Sequence, residues 1–196
     1  MNHLVVYAHP NAESFNHAIL ETVVRSLQAN GHRVVVRDLY ALRFQPVLGQ
    51  DDLAALDAGD VPADILAEQE LIAQADAITL IYPIWWGGQP AMLKGYIDRV
   101  FSHGFAYVAN AQGIERLLEG KKGLIINTHG TPKDIYDQTG MTEGLKLTID
   151  TAIFSFVGIE TVGHLLFGGI GYGEEETYNG MLKEVEEAVV SLFPAR

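Results

Sequence analysis

The sequence predicts an α/β protein in which helices cover both faces of a parallel, five-stranded sheet. Short and almost wholly apolar runs alternate with helix-like stretches along the chain. This alternation is typical of parallel sheets that are buried on both faces. The length of 196 residues and the 48% apolar composition suit one hydrophobic core. We therefore expect residues 1–196 to form a single domain.

The first half of the chain contains three predicted strands. Residues 3–8 (HLVVYA) form a short apolar run, as expected of a covered parallel strand. Apolar residues then recur at helical spacing from Ser14 to about Asn30, and Gly31 supplies the C-terminal stop. Further along, we predict a strand at 33–38 (RVVVRD), a helix at 63–75 and a strand at 77–82 (AITLIY).

A long connection separates the second strand from the next helix. Residues 39–62 show no regular pattern apart from one helical turn near residues 51–56. Ordered connections of this length in compact domains are often functional. The segment is therefore a candidate functional region.

The second half completes the alternation. Pro90 suits the first turn of a helix that runs to about Phe101. The remaining predicted elements are a strand at 123–127 (GLIIN), a helix at 141–157, a strand at 161–167 and a helix at 175–192. Five strands match the flavodoxin-like sheet, of order 2-1-3-4-5, better than the six-stranded dinucleotide fold. Ligands of such sheets lie outside the carboxyl ends of the strands, so the loops after strands one, three and four matter most.

Composition excludes several classes of function. There are 13 basic and 25 acidic residues, so the formal net charge is −12 and nucleic acid is not expected as the main partner. No cysteine is present, which excludes disulfides and thiol redox chemistry. The histidines lack metal-ligand spacing, and we expect no metal site. We see no signal peptide and no apolar run of membrane-spanning length, so we expect a cytoplasmic protein without membrane insertion.

The loop after the first strand has the character of a phosphate site. Ser14, Phe15 and Asn16 would occupy a helix N-terminus, where free N–H groups and the helix dipole attract phosphate. The loop lacks the glycine pattern of dinucleotide or nucleotide-triphosphate cradles. The alternative is that Ser14 only caps the helix.

The loop after the third strand is rich in aromatic residues. Residues 82–90 (YPIWWGGQP) contain both tryptophans of the chain, between glycines and prolines. A flat conjugated ring needs apolar and aromatic walls with backbone donors at its polar edge. The alternative is that Trp85 and Trp86 anchor the loop or a dimer interface.

Small polar residues follow the fourth strand. Residues 127–131 (NTHGT) allow close approach of a ring, and their side chains can hydrogen-bond its carbonyls. The alternative is an ordinary strand-to-helix turn. Residues 168–173 (GGIGYG) match a dinucleotide loop poorly, and we interpret them as a flexible loop that could rim the pocket.

Taken together, the motifs resemble one family. They are Ala8-His9-Pro10, Ser14-Phe15-Asn16, Asp38-Leu39-Tyr40, Ile65-Leu66-Ala67-Glu68-Gln69, Pro83-Ile84-Trp85-Trp86, Pro90-Ala91-Met92-Leu93-Lys94-Gly95, Asp98-Arg99-Val100-Phe101 and Gly104-Phe105-Ala106-Tyr107. This ordered set resembles the NAD(P)H:quinone oxidoreductase (DT-diaphorase) family of flavodoxin-like flavoproteins. That family includes bacterial quinone reductases and ancillary flavoproteins of glutathione-gated potassium efflux.

The resemblance implies a set of flavin-binding residues. His9, Phe15 and Asn16 would hold the phosphate region, and Gln69 would contact the phosphate or ribityl side. The residues that would line the isoalloxazine ring are Pro83, Ile84, Trp85, Trp86 and Gly87 at one edge and Thr128, His129, Gly130 and Thr131 at the pyrimidine edge. Tyr136 matches a tyrosine that points at the nicotinamide and the acceptor.

The chain departs from the family pattern at three positions. Thr142 stands where the family has a histidine six residues after the tyrosine, so a Tyr–His relay is not expected. Gly87 stands where the family has an aromatic residue, which should open the pocket. His129 replaces a small residue, and we expect it to supply part of the missing charge stabilisation.

The resemblance also implies a reaction. NAD(P)H would pass a hydride through N5 of FAD or FMN to a quinone-like acceptor, in a two-electron ping-pong cycle between the subunits of a homodimer. Three alternatives remain from the sequence: an ancillary flavoprotein that regulates a potassium-efflux system, a flavodoxin-type electron carrier, and a flavin-free structural protein. The Tyr136 loop and the long 39–62 segment favour the enzyme.

Overall fold

The computed structural model describes residues 1–195, and its centre is a parallel sheet of five strands. The strands of the chain are β1 (Asn2–Tyr7), β2 (Arg33–Asp38), β3 (Ala77–Pro83), β4 (Tyr107–Asn110), β5 (Gly113–Arg116), β6 (Lys122–Thr128) and β7 (Glu160–Phe167). The sheet order is β2-β1-β3-β6-β7, and all four pairings are parallel. The predicted order 2-1-3-4-5 is confirmed, because β4 and β5 form a separate antiparallel hairpin.

Helices connect the strands in the alternation that the sequence predicts. They are α1 (Phe15–Ala29), α2 (Gln50–Asp57), α3 (Ala63–Gln74), α4 (Ala91–Val100), α5 (Lys133–Gln138), α6 (Met141–Lys146) and α7 (Glu175–Leu192), with a π-helix (Leu147–Ser155) that continues α6. In residues 1–195 no helix is both long and apolar enough to cross a membrane.

Two hydrophobic layers lie on opposite faces of the sheet. Leu4 and Val6 of β1 point into a layer with residues of α3, α4 and the π-helix, whereas Val5 and Tyr7 point into a layer with α1 and α7. Successive side chains of a strand alternate between faces, so one apolar strand serves both layers. This explains why β1 and β3 are buried along almost their whole length.

Several helix ends lie at the capping, glycine and proline residues that predict them in the sequence. Ser14 caps α1, and its side chain accepts a hydrogen bond from the amide of His17. Gly31, just after α1, has a φ of +77°, which glycine adopts without strain. Pro90 lies directly before α4, and Phe101 directly after it.

Four features differ from the predicted elements. The hairpin β4–β5 was not predicted, because its two strands have four residues each, are partly or wholly exposed and show no apolar alternation. The helix α5 was not predicted, because it has six residues and none of them is buried. Helix α2 has eight residues rather than one turn. The predicted helix at 141–157 adopts π geometry from Leu147 to Ser155, a change of hydrogen-bond partner that side-chain periodicity does not reveal.

A buried arginine anchors the 39–62 segment. Arg99 of α4 is 4% exposed and makes a bidentate pair with Asp52 of α2, at 2.8 and 3.0 Å. It also pairs with Asp64 of α3 and donates to the carbonyl of Gln45. Its hydrogen bonds hold the pKa of Asp52 below the usual range. The long connection is therefore an ordered part of the fold.

The π-helix contributes to a buried polar chain beneath the end of β6. The ring of His164 lies between Asp150, 2.8 Å from its Nδ1, and Asn127, 3.0 Å from its Nε2. The amide nitrogen of Asn127 also lies 3.2 Å from the hydroxyl of Tyr82. This chain ties the π-helix to β7, β6 and β3, directly below the loop that follows β6.

Candidate active site

Four loops meet at the carboxyl edge of the sheet. The amide of Ile84, after β3, donates to the carbonyl of Thr128 at 2.7 Å. The side-chain amide of Asn16, in the first turn of α1, donates to the hydroxyl of Thr128 at 2.8 Å. The amide of Ile170, after β7, donates to the carbonyl of His129 at 3.1 Å. The structure thus joins the three loops singled out from the sequence to a fourth.

The N-terminus of α1 presents donors to this edge. The amides of Phe15 and Asn16 begin the helix and have no intrahelical acceptor. Asn16 is 3% exposed, and its Oδ1 has no hydrogen-bond partner in the described part of the chain. A buried polar atom without a partner is costly, so its position beside free amides suits a polar ligand.

His9 lies beside this helix end. Its Nδ1 is 3.1 Å from the amide of Asn11, and its ring centroid is 6.1 Å from that of Trp85. The side chain therefore lies between the first loop and the aromatic loop, where it could contact a ligand that spans both.

The aromatic loop is a tight turn with an unusual backbone. The amide of Trp85 donates to the carbonyl of Gly88, and the amide of Gly88 donates back to Trp85, at 3.0 and 3.2 Å. Trp86 and Gly87 both have positive φ, +51° and +74°, as in a type I′ turn. The Trp86 side chain is fully exposed (107%) and Trp85 is 43% exposed. Such strain and exposure at one bulky residue point to a ligand or a partner.

Two rings lie parallel after β6. The rings of His129 and Tyr136 are stacked, with centroids 3.9 Å apart and planes 8° from parallel. His129 is 4% exposed and forms the inner layer, whereas Tyr136 is half-buried and forms the outer one. Burial lowers the pKa of His129, and the nearby Thr131 carbonyl offsets only part of this effect.

An open cavity of about 640 Å³ lies against these rings. It is lined by Ile84, His129, Gly130, Thr131, Pro132, Tyr136, Gly169 and Tyr172. Binding sites for small molecules are typically concave and lined mostly by apolar and aromatic side chains, with a few polar groups. The lining of this cavity combines apolar and aromatic side chains with His129 and Thr131 in the same way. Within residues 1–195, no group of three or more His, Asp or Glu side chains could hold a metal ion.

The structure does not bring Gln69 to this edge. Gln69 is 5% exposed, and its amide nitrogen donates to the Val100 carbonyl and the Ser102 hydroxyl, both at 3.0 Å. Val100 is the last residue of α4 and Ser102 lies just after it, at the end of the helix far from the carboxyl edge of β3. Within this chain Gln69 therefore joins α3 to the end of α4, and its flavin contact stays a prediction.

Two residues near Tyr136 occupy positions where the chain departs from the family pattern. Burial lowers the pKa of His129 and favours the neutral imidazole, and the charge stabilisation expected of this residue stays a prediction. Thr142, at the position of the family histidine, donates to Asp137 at 2.6 Å. Lys133 and then Thr142 lower the pKa of Asp137. Thr142 therefore holds α5 in place instead of taking part in a relay.

Sequence reasoning missed Pro132, which lines the cavity, and Tyr178 of α7, which packs on Phe15 with ring centroids 5.0 Å apart. Tyr172 also lines the cavity and lies in the 168–173 segment that we expect to rim it. Tyr178 also accepts a hydrogen bond from the amide of Gly171 at 2.8 Å. The glycine-rich segment 168–173 was the one available signal, since residues after β7 reach the same edge.

Comparison with known proteins shows the family of the chain. A family model for proteins of flavodoxin-like fold matches residues 1–189. The chain belongs to this flavodoxin-like family.

Individual relatives share most of the chain. A Haemophilus influenzae protein named "Uncharacterized NAD(P)H oxidoreductase" is 41% identical over 184 residues, which are 93% of this chain and 91% of the relative. NAD(P)H dehydrogenase [quinone] 1 of Rattus norvegicus is 31% identical over 86% of this chain and 69% of its own length. The structure of an NAD(P)H:quinone oxidoreductase from Methanothermobacter marburgensis has a TM-score of 0.86 at 29% identity, covering 100% of this chain and 98% of that one.

Proposed function

We propose that the protein is a flavin-dependent oxidoreductase that takes a hydride from NAD(P)H and reduces a quinone-like acceptor. The observation that carries this proposal is the pairing of a donor-rich helix end with a flat-walled cavity at one edge of the sheet. Relatives named as NAD(P)H oxidoreductases and quinone dehydrogenases support the same reaction class.

The residues present fit a flavin. Asn16 Oδ1 and the first-turn amides of α1 offer a place for the phosphate and the adjoining hydroxyls. Ile84 and the turn at Trp85–Gly88 would wall one side of the ring, and Gly130 and Thr131 would meet its polar edge. When bound, the flavin would supply the redox chemistry, and the protein would supply orientation and electrostatics.

The open side of the cavity would admit nicotinamide and acceptor in turn. Tyr136 and Tyr172 stand at this side, and Tyr172 is 85% exposed. Gly87 carries no side chain here; a Cβ at this position would lie 3.5 Å from the methyl of Met141. Met141 therefore already packs beside Gly87, and the absence of a larger side chain at Gly87 removes one group that could block a planar acceptor. One site serving both substrates supports a ping-pong order.

The first test is the visible spectrum of the purified protein. We expect a yellow protein whose colour bleaches directly when NADH or NADPH is added without oxygen, and recovers on addition of menadione. Chromatography of the released flavin distinguishes FMN from FAD. Stepwise bleaching through a long-lived one-electron form would favour an electron carrier instead.

A negative result would also be clear. A colourless protein that binds neither FMN nor FAD would contradict the proposal. The variant Asn16→Leu tests the same site, because it removes the polar end of a buried side chain. We expect flavin affinity to fall at least ten-fold in this variant.

We further infer that the protein acts as a homodimer with the site near the subunit interface, as the family resemblance implies. Apolar side chains exposed on the 39–62 segment support this: Leu42, Val47, Leu48 and Leu53 are 37–69% exposed. Exposed apolar groups concentrated in one segment are typical of a covered surface.

A further inference from the structure

Three residues form a layered arrangement under the cavity. The Tyr136 ring lies outermost, the His129 ring lies parallel beneath it, and Gly168 lies against the His129 edge. A Cβ at Gly168 would come within 2.7 Å of His129 Cε1 and equally close to the amide of Lys133. Only glycine at position 168 therefore leaves room for the imidazole.

The contacts of His129 show how its ring acts. In residues 1–195 neither ring nitrogen meets full hydrogen-bond geometry, although the Thr131 carbonyl lies near the ring, and the backbone amide and carbonyl of His129 are bonded to Phe167 and Ile170. The main chain is thus fixed independently of the side chain. The imidazole lies flat against the Tyr136 ring, with centroids 3.9 Å apart and planes 8° from parallel.

Tyr136 is supported by the His129 ring on one face and also packs against the edge of the hydrophobic core. It lies on α5, a helix of six residues, of which none is buried. The end of α5 is held by the Thr142–Asp137 hydrogen bond, which fixes the backbone but not the tyrosine ring. Removal of the imidazole would leave a space one ring thick beneath Tyr136, into which its side chain could turn.

We propose that His129 is a positioning residue that sets the height of the Tyr136 ring and so limits the size of the planar acceptor that the cavity admits. This inference rests on the proposed function for its substrate class, but the position of Tyr136 itself can be tested without any cofactor. His129 acts here through its neutral, flat ring and not through charge.

The first experiment measures Tyr136 directly. The chain has eight tyrosines, so ¹⁹F NMR of protein containing 3-fluorotyrosine is practicable, and Tyr136→Phe assigns the signal. His129→Gly should move the Tyr136 signal toward that of a free tyrosine, because the ring-current shift is lost. His129→Phe retains a flat ring and should keep most of the shift. An unchanged signal in His129→Gly would overturn the proposal.

The second experiment measures the acceptor limit in the flavin-loaded protein. We expect the KM ratio of anthraquinone-2-sulfonate to menadione to fall at least three-fold in His129→Gly, with kcat measured for both acceptors so that the change in KM is separated from any change in turnover. In a Tyr136→Leu background the same substitution should leave the ratio unchanged, because coupled residues are non-additive. An equal effect in both backgrounds would contradict a role through Tyr136.

The two experiments separate failure of this inference from failure of the proposed function. If the ¹⁹F signal moves but the protein binds no flavin and shows no activity, the positioning role of His129 is supported. Only the proposed enzyme function is then contradicted. Should His129→Gly not fold, His129→Ala serves for both measurements, since it also removes the ring. The melting temperature of each variant, followed by circular dichroism, shows whether it folds.

Discussion

Trp86 combines a strained backbone with a fully solvent-exposed side chain. A non-glycine residue in the left-handed region costs about 1–2 kcal/mol, and Trp86 has a φ of +51°. Its indole is fully exposed, so packing within the chain does not offset that cost. Strain of this kind persists where function requires it.

Trp86→Gly should therefore raise stability and lower ligand affinity. We expect the free energy of unfolding of the flavin-free protein to rise by about 0.5–1 kcal/mol, because glycine relieves the strain at a smaller entropic cost. Flavin affinity, measured by titration, should fall. Trp86→Ala is the matched control: it removes the indole but keeps the strain, and so should lose affinity without gaining stability. Equal stability of the two variants would contradict the strain argument.

The burial of His3 leads us to expect a loss of stability in acid. It is 2% exposed, neither ring nitrogen has a partner in the described chain, and burial, with help from His32, lowers its pKa to about 4. Between pH 6.5 and about 4 the unfolded chain binds the proton and the folded one does not. The free energy of unfolding therefore falls as the pH falls through this window, by about 3 kcal/mol from this group.

His3→Gln isolates this contribution, since glutamine does not titrate. The difference in unfolding free energy between wild type and variant, from urea titrations at about pH 7 and about pH 4.5, should shrink or reverse at the lower pH. A difference that stays constant would show that His3 does not carry the effect.

Among the connecting elements, the cluster of Arg99 with Asp52 and Asp64 holds the 39–62 segment in place. Arg99→Met leaves Asp52 without its bidentate partner in a site where the Asp52 side chain is only 16% exposed. Breaking one half of a buried pair typically costs about 3 kcal/mol. We expect a loss of that order and faster proteolysis within residues 39–62, measured by limited digestion.

Lys94→Met provides the control on the same helix. Lys94 pairs with Asp98 four residues later, and both side chains are 40–50% exposed. Such surface pairs contribute at most about 0.5 kcal/mol. If both variants lose equal stability, the cluster is not the anchor.

Elements that the sequence predicted well are those whose side chains reach the core. The alternating faces of β1 and the glycine after α1 were predicted because burial and positive φ leave a pattern in the residues themselves. The hairpin β4–β5 and helix α5 lack buried residues of this kind. The π geometry of residues 147–155 depends on main-chain hydrogen bonding, and the Asp150–His164–Asn127 chain depends on contacts between distant segments.

For the molecule as a whole, parallel topology explains why much of the site could be predicted. The ends of β1, β3 and β6 must reach one edge of the sheet, so residues of three loops were placed together from their positions alone. Gln69 lies on a helix, and its direction could not be predicted from that rule. The His129–Tyr136 stack also depends on distance and ring orientation, which the spacing of seven residues does not specify.

The exposed apolar surface of the 39–62 segment predicts the oligomeric state. We expect light scattering after size exclusion to give twice the chain mass of 21.5 kDa. Val47→Asp should shift the protein toward the monomer, because Val47 is 69% exposed on this surface. Val190→Asp, at an exposed position on α7, should leave the mass unchanged. A monomeric wild type would contradict the dimer.

The turn at Trp85–Gly88 also has an optical consequence. The chain has two tryptophans, and both lie in this turn, so native indole fluorescence reports on one loop beside the cavity. A chromophore entering the cavity should shorten the emission lifetime, and binding can be followed without a label. Because the indole of Trp86 is already solvated in the folded protein, its emission should respond weakly to denaturation. The part of the intrinsic signal that comes from Trp86 thus reports occupancy of the cavity better than it reports unfolding.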